Sequence, residues 1–138
     1  MPENPVSTAG ARRLSFVVPV RNDAEGLRRC LASLSKSDFP RERMETIVAD
    51  NGSVDDSQGV AREMGAIVLE LPGKRVAGLR NEGATRATGE ILAFVDADQE
   101  IDPMWARCAL EALEEPGVAA AGAPYSPPPA PTWVQRIY

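Results

Sequence analysis

At 138 residues the chain has room for one globular domain with a single core, and not for two of ordinary size. Its 15 Lys and Arg stand against 20 Asp and Glu, a formal net charge of −5. The basic residues are scattered among acids, which excludes nucleic acid as the main partner and requires any anionic ligand to be met locally. There is no histidine, so imidazole bases and histidine-bound zinc are excluded, and acid, base or metal chemistry falls to carboxylates.

Residues 1–13, MPENPVSTAGARR, show no periodicity and no apolar leader, and read as a flexible N-terminal arm. No run approaches the roughly 18 consecutive apolar residues of a membrane span. LSFVVPV (residues 14–20) is a short apolar run rich in β-branched residues, as expected of a strand buried on both faces, with Pro19 marking its end. Over residues 25–36, Leu27, Cys30, Leu31 and Leu34 recur at helical spacing, and Asn22 with Glu25 offers a capping box. METIVAD (residues 44–50) is the second predicted strand. Gly52 then permits a tight turn, and Ser53 with Asp56 is placed to cap a helix running to Met64.

AIVLEL reads as a third strand, LPGKRVAG as a loop, residues 77–88 as a helix of small residues, and ILAFV as a fourth strand. Asp102 and Pro103 open another predicted helix, with Trp105, Cys108, Ala109, Ala112 and Leu113 as its inner stripe. Residues 117–122 are a candidate fifth strand. Both cysteines, Cys30 and Cys108, fall on apolar helix faces, as expected of buried free thiols in a reducing, cytoplasmic setting. Strand and helix alternate with short connections, which predicts an α/β fold: a Rossmann-like, mostly parallel sheet with helices on both faces. The tail, YSPPPAPTWVQRIY, changes character. Its prolines favour polyproline II geometry, and Trp133, Val134 and Ile137 resemble the start of an apolar-faced helix that stops at once, so the domain looks cut short. The alternative is a terminal helix packing on the sheet.

Ligands of open α/β sheets bind beyond the carboxyl ends of the strands. The loops there hold Arg21, Asn22 and Asp23; Asp50, Asn51 and Ser53; Lys74 and Arg75; and Asp96 and Asp98. Two ionised carboxylates about 6 Å apart, at an effective dielectric of about 20, repel by roughly 2 to 3 kcal/mol, a cost that a divalent cation turns into attraction. Oxygen ligands of this kind suit Mg²⁺ or Mn²⁺. The other reading has one Asp in a turn and one as a helix cap, although Asp102 already serves as cap. Asp50 and Asn51 suit a base or a ribose, and equally an Asx-turn. Lys74, Arg75 and Arg80 stand where a diphosphate would lie, though long basic side chains in loops are more often simply solvated. Neither a Walker loop nor GxGxxG is present.

Taken together, FVVPVRND, ETIVADNGSVDDS and RNEGATRATGEILAFVDAD resemble, in order, the opening strand, the D-D/N-G-S-x-D turn and the D-x-D strand of family-2 glycosyltransferases of GT-A fold. The resemblance covers residues 14–125 and implies a nucleotide-sugar-binding domain, with residues 126–138 beginning an acceptor-side region. It implies an inverting transferase acting on a nucleoside-diphosphate sugar and an acceptor hydroxyl. By the same resemblance Pro19 and Asn22 line the nucleoside site, Asp50 and Asn51 contact base or ribose, and Arg80 lies near base or diphosphate. Asp96 then meets ribose or metal, and Asp98 is the main ligand of Mn²⁺ or Mg²⁺. Arg21 departs from a frequent aromatic and Asn51 from a common second Asp. No residue of the chain is assigned as the general base that the acceptor hydroxyl requires. The alternative is a non-catalytic nucleotide-binding or protein-interaction module of the same ancestry, self-associating through its C-terminal segment.

Overall fold

The computed structural model describes residues 12–124 and residue 126. The arm expected over residues 1–13, save its last two residues, and the proline-rich segment after Ser126, with its self-association surface, lie outside the described residues. The described residues alternate β1 (Leu14–Val20), α1 (Ala24–Ser35), β2 (Met44–Asp50), α2 (Ser57–Glu63), β3 (Ile67–Glu70), α3 (Val76–Arg86), β4 (Ile91–Phe94) and α4 (Trp105–Leu113), with a 3₁₀ turn at Arg41–Arg43. The four strands form a parallel sheet in the order β3-β2-β1-β4.

Strand order explains the layers. The chain moves outward from β1 to β3 and then returns past β1 to place β4 on the far side, so right-handed crossovers put α1 and α2 on one face and α3 on the other. Phe16, Val18, Val48 and Ala93 face Leu27, Cys30, Val60 and Leu110 from α1, α2 and α4 in the main core. On the opposite face, Val17 and Ile47 are fully buried in the layer that α3 covers with Leu79 and Gly83. β1 is buried along its whole length, as its unbroken apolar run predicts.

Several local expectations shift. Asp23, not Asn22, caps α1, its Oδ1 accepting from Gly26 N at 3.0 Å. Helix α3 begins one residue early, and α4 begins at Trp105, with Asp102 Oδ1 accepting from Met104 N at 2.8 Å in the turn before it. Residues 117–122 form no strand: after α4 the chain runs on without pairing to any described strand. Cys108 is exposed while Ala106 and Leu110 are buried, so α4 turns a different edge of its broad apolar surface to the core. Trp105 anchors that orientation against Phe16, with ring centroids 6.1 Å apart. Among the described residues no helix is long and apolar enough to cross a membrane.

Two expected outcomes follow from packing. Burial, reinforced by the carboxylates of Asp98, Asp96 and Glu100, pushes the Cys30 thiol up to about 12. Iodoacetamide at neutral pH should therefore modify Cys108 and spare Cys30 in the native protein, as peptide mass spectrometry will read; equal labelling would contradict the core.

The second outcome concerns Glu45, which ties the amino end of β2 to its neighbours. Its Oε1 accepts from Ser15 Oγ at 2.6 Å, Thr88 N at 2.6 Å and Thr88 Oγ1 at 2.9 Å. Partial burial opposes ionisation, but these bonds outweigh it and hold the carboxyl below its ordinary value. Since the folded value is the lower one, the stabilisation is complete above the ordinary glutamate range and is lost as pH falls through the lowered value. Glu45→Gln should flatten the acid limb of a Tm-against-pH profile, and an unchanged limb would remove Glu45 from that role.

Candidate functional site

The loops at the carboxyl ends of the strands are tied to one another before any ligand is considered. β1 ends on Pro19 and Val20. Pro19 has no N–H with which to extend the ladder toward β4, and the β1–β4 pairing stops at Val17 and Phe94. On the other side the ladder runs on, with Asn51 N donating to Val20 O at 2.9 Å. The sheet therefore opens between β1 and β4, where the direction of strand order reverses and α/β sheets take their ligands.

Asn22 has a φ of 52°, a left-handed conformation that asparagine tolerates better than most residues. In that state its N–H donates to Ser53 Oγ at 2.9 Å and its Oδ1 accepts from Val54 N at 2.7 Å. Asp55 fastens the same two loops from the side: Oδ2 accepts from Ala24 N at 2.9 Å and Oδ1 from Ser57 N at 3.0 Å. The hydroxyl of Ser57, with these amides, holds the Asp55 carboxyl below its ordinary value. In the sequence Asp55 figures only as the last Asp of the D-D/N-G-S-x-D turn, and neither it nor Ser57 is given a role there. Their spacing, Asp-x-Ser ahead of an apolar-faced helix, was the available signal.

Asp50 is wholly buried. Its Oδ2 accepts from Ser53 N at 3.0 Å and from Gln58 Nε2 at 2.9 Å, which closes the turn that Gly52 permits with a φ of 66°. Its Oδ1 is buried without a donor among the described residues, a state that costs about 1 to 3 kcal/mol and favours an incoming N–H or O–H. Asn51 Oδ1 accepts from Gly73 N at 2.8 Å, joining the second loop to the third.

The basic residues divide. Lys74 Nζ pairs with Glu82 Oε1 at 2.5 Å, Arg75 is exposed, and Arg80 Nη2 reaches Asp96 Oδ1 at 2.7 Å. The Arg80 Nε hydrogen is buried and has no acceptor among the described residues. Arg80 thus belongs with the acidic pair, a juxtaposition across 16 residues that no local pattern predicts.

After β4, Gln99 N donates to Asp96 O at 3.0 Å and Asp96 N to Gln99 Oε1 at 3.2 Å, forming a turn. Ala97 is buried and seats that turn on the core; Asp98 is exposed. Among the described residues no three Cys, Asp or Glu side chains gather into an all-protein metal cage. The donors at hand are hard oxygens, with Asp98 open and Asp96 ion-paired. That set fits Mg²⁺ or Mn²⁺, which use one or two carboxylates and keep other positions for water and phosphate oxygens.

A four-stranded parallel sheet of order 3-2-1-4, with polar loops joined around its switch point and an acidic pair delivered by the adjacent strand, defines a Rossmann-like α/β domain of the GT-A type. Solved structures share it. A mannosyltransferase from Pyrobaculum calidifontis, in complex with GDP-Man and Mn²⁺, superposes with a TM-score of 0.73 at 27% identity, over 78% of this chain and 34% of that one. S. aureus TarS 1-349 in complex with UDP-GlcNAc gives a TM-score of 0.67 at 28% identity, over 83% and 37%.

The chain belongs to Glycosyl transferase family 2, whose sequence profile matches residues 15–137. Relatives include glycosyltransferase AglE of Haloferax volcanii, 30% identical over 115 residues, which are 79% of this chain and 38% of the relative. Validoxylamine A glucosyltransferase of Streptomyces hygroscopicus subsp. jinggangensis is 33% identical over 121 residues, 83% of this chain and 29% of the relative. The chain thus spans about a third of the length of the curated relatives it matches.

Proposed function

We propose that residues 14–125 are the donor-binding part of an inverting glycosyltransferase that takes a nucleoside-diphosphate sugar with Mn²⁺ or Mg²⁺, and that residues 126–138 lead into its acceptor side. The observation that carries the reading is that the loops after β1, β2 and β3 are bonded to one another and Arg80 of α3 pairs with Asp96 in the turn after β4, with Asp98 exposed beside that pair. Pro19 and Asn22 form the nucleoside wall. Asp50, through its unpartnered Oδ1, and Asn51, through its amide nitrogen, meet base or ribose. Arg80 presents its guanidinium to base or diphosphate, Asp96 meets the ribose or the metal, and Asp98 holds the metal.

When bound, such a cation offsets the negative charge that grows on the leaving diphosphate. The bond between the anomeric carbon and the phosphate oxygen breaks as one to the acceptor oxygen forms on the opposite face, and the acceptor's proton passes to a base. That base is assigned to none of these 138 residues. The free thiols suit a cytoplasmic setting. A thermal-shift panel of nucleoside diphosphates and their sugars, with and without Mn²⁺, tests the reading. Stabilisation is expected only when nucleotide and metal are present together, and the most stabilising member names the base. Metal-independent stabilisation would instead favour a non-catalytic nucleotide-binding module.

A further inference from the structure

We infer that Arg80 makes cation binding at Asp98 conditional on a diphosphate, by holding Asp96 out of the metal's reach until the nucleotide arrives. The inference rests on the donor-site reading. Two aspartates one residue apart would, left to themselves, form a doubly charged pair able to draw a divalent cation without help. Here they are not left to themselves. Arg80 Nη2 bonds Asp96 Oδ1 at 2.7 Å and cancels one of the two charges. The nearby Glu100 is also engaged, by Arg29 Nε at 3.6 Å. Of the two aspartates, Asp98 is then the one with its charge uncompensated, with no third carboxylate gathered to it among the described residues.

A cation that shared Asp96 with the guanidinium would sit within a few ångströms of another positive charge, and that repulsion opposes it. A diphosphate reverses the sign of the problem. Its oxygens supply the missing ligands of the cation, and they bring negative charge to a guanidinium whose buried Nε hydrogen has no acceptor among the described residues. Metal and nucleotide then assist one another through Arg80, and by linkage each raises the other's affinity by the same factor. Arg80 is a positioning residue in this scheme: it acts on the metal through Asp96.

The test is Mn²⁺ binding by the full chain, with no nucleotide, with GDP and with UDP, read as the loss of the free-ion electron paramagnetic resonance signal beyond that of the same Mn²⁺ and nucleotide mixture without protein. The wild type should bind Mn²⁺ appreciably only with one of the nucleotides. Arg80→Gln releases Asp96 and should gain nucleotide-free Mn²⁺ affinity by roughly tenfold or more, with the dependence on nucleotide shrinking to match. Arg80→Lys keeps the charge and should behave as the wild type, and Asp98→Asn should lose binding in every condition. A merely structural Arg80 would produce no gain.

No gain in Arg80→Gln, with Mn²⁺ binding that depends on nucleotide in the wild type, overturns the inference and leaves the donor-site reading standing. A gain in Arg80→Gln, with no nucleotide-dependent binding in the wild type, supports the screening of Asp96 and rejects the donor-site reading. Absence of Mn²⁺ binding in every protein and condition overturns both.

Discussion

Asp98→Ala is expected to abolish metal-dependent binding of a nucleoside-diphosphate sugar while leaving the fold untouched. Asp98 is exposed, and its neighbour Ala97, not Asp98, seats the loop on the core. The substitution should therefore shift stability by less than about 0.5 kcal/mol, the usual range at surface positions away from special features. Binding is a different matter. With Asp96 occupied by Arg80, Asp98 is the carboxylate free to ligate, and removing a charged partner of this kind costs about 3 kcal/mol or more, on the order of a hundredfold in Kd. Calorimetry in Mn²⁺ measures the loss, and an unchanged thermal midpoint shows that it is not a folding defect. Asp98→Asn keeps the shape and should lose nearly as much, because a neutral amide oxygen is a far poorer ligand for a hard cation. Retained affinity in both variants would remove Asp98 from the site.

The second large effect is structural and runs against propensity. Gly83 lies inside α3, where alanine would ordinarily be favoured by about 1 kcal/mol. A Cβ at Gly83, however, would collide with Val17 Cγ1 on β1, the strand at the centre of the sheet. Val17 is fully buried and has nowhere to retreat. Overpacking of this kind costs about 1 to 3 kcal/mol, so Gly83→Ala should lower the thermal midpoint by roughly 3 to 10 °C. Val17→Ala opens the room that the new methyl needs, so the double variant should recover much of the loss. A Gly83→Ala protein more stable than the wild type would show that α3 stands further from β1 than described. Because Arg80 lies on the same helix, one turn earlier, the close approach at Gly83 also sets how Arg80 meets Asp96.

The elements that follow from one-dimensional patterns were legible in the sequence. β1 and β2 match their predicted residues, since short runs rich in β-branched residues between turn signals leave few other readings. The stripe of Leu27, Cys30, Leu31 and Leu34 is the buried face of α1. What failed depended on partners distant in the chain. Asn22 does not cap α1, because its left-handed backbone and bonds to Ser53 and Val54 commit it to the neighbouring loop. Cys108 misled because nearly every residue of WARCALEAL is apolar or small, so periodicity alone does not select the edge that meets Phe16. At the candidate site the polar loops at the strand ends follow from the sequence, and the pairings among their residues do not. That Asp50 would be wholly buried, with one oxygen closing a turn and the other unpartnered, or that Arg80 would seek Asp96, depends on where loops meet in three dimensions.

The two margins of the sheet are unlike. At β3, Arg62 and Glu70 lay an ion pair along the border, the kind of charge that discourages further strands. At β4, Leu92 and Phe94 remain 39% and 46% exposed, and the ladder to β1 uses the amides of Ile91 and Val95, which turns those of Leu92 and Phe94 outward. The two margins thus differ: β3 is bordered by an ion pair, β4 by exposed apolar side chains and outward amides. In any longer polypeptide that carries this domain, a strand added beside β4 would cover those side chains. It would also border the Asp96–Asp98 turn, which would then pass from the rim of the sheet to its interior.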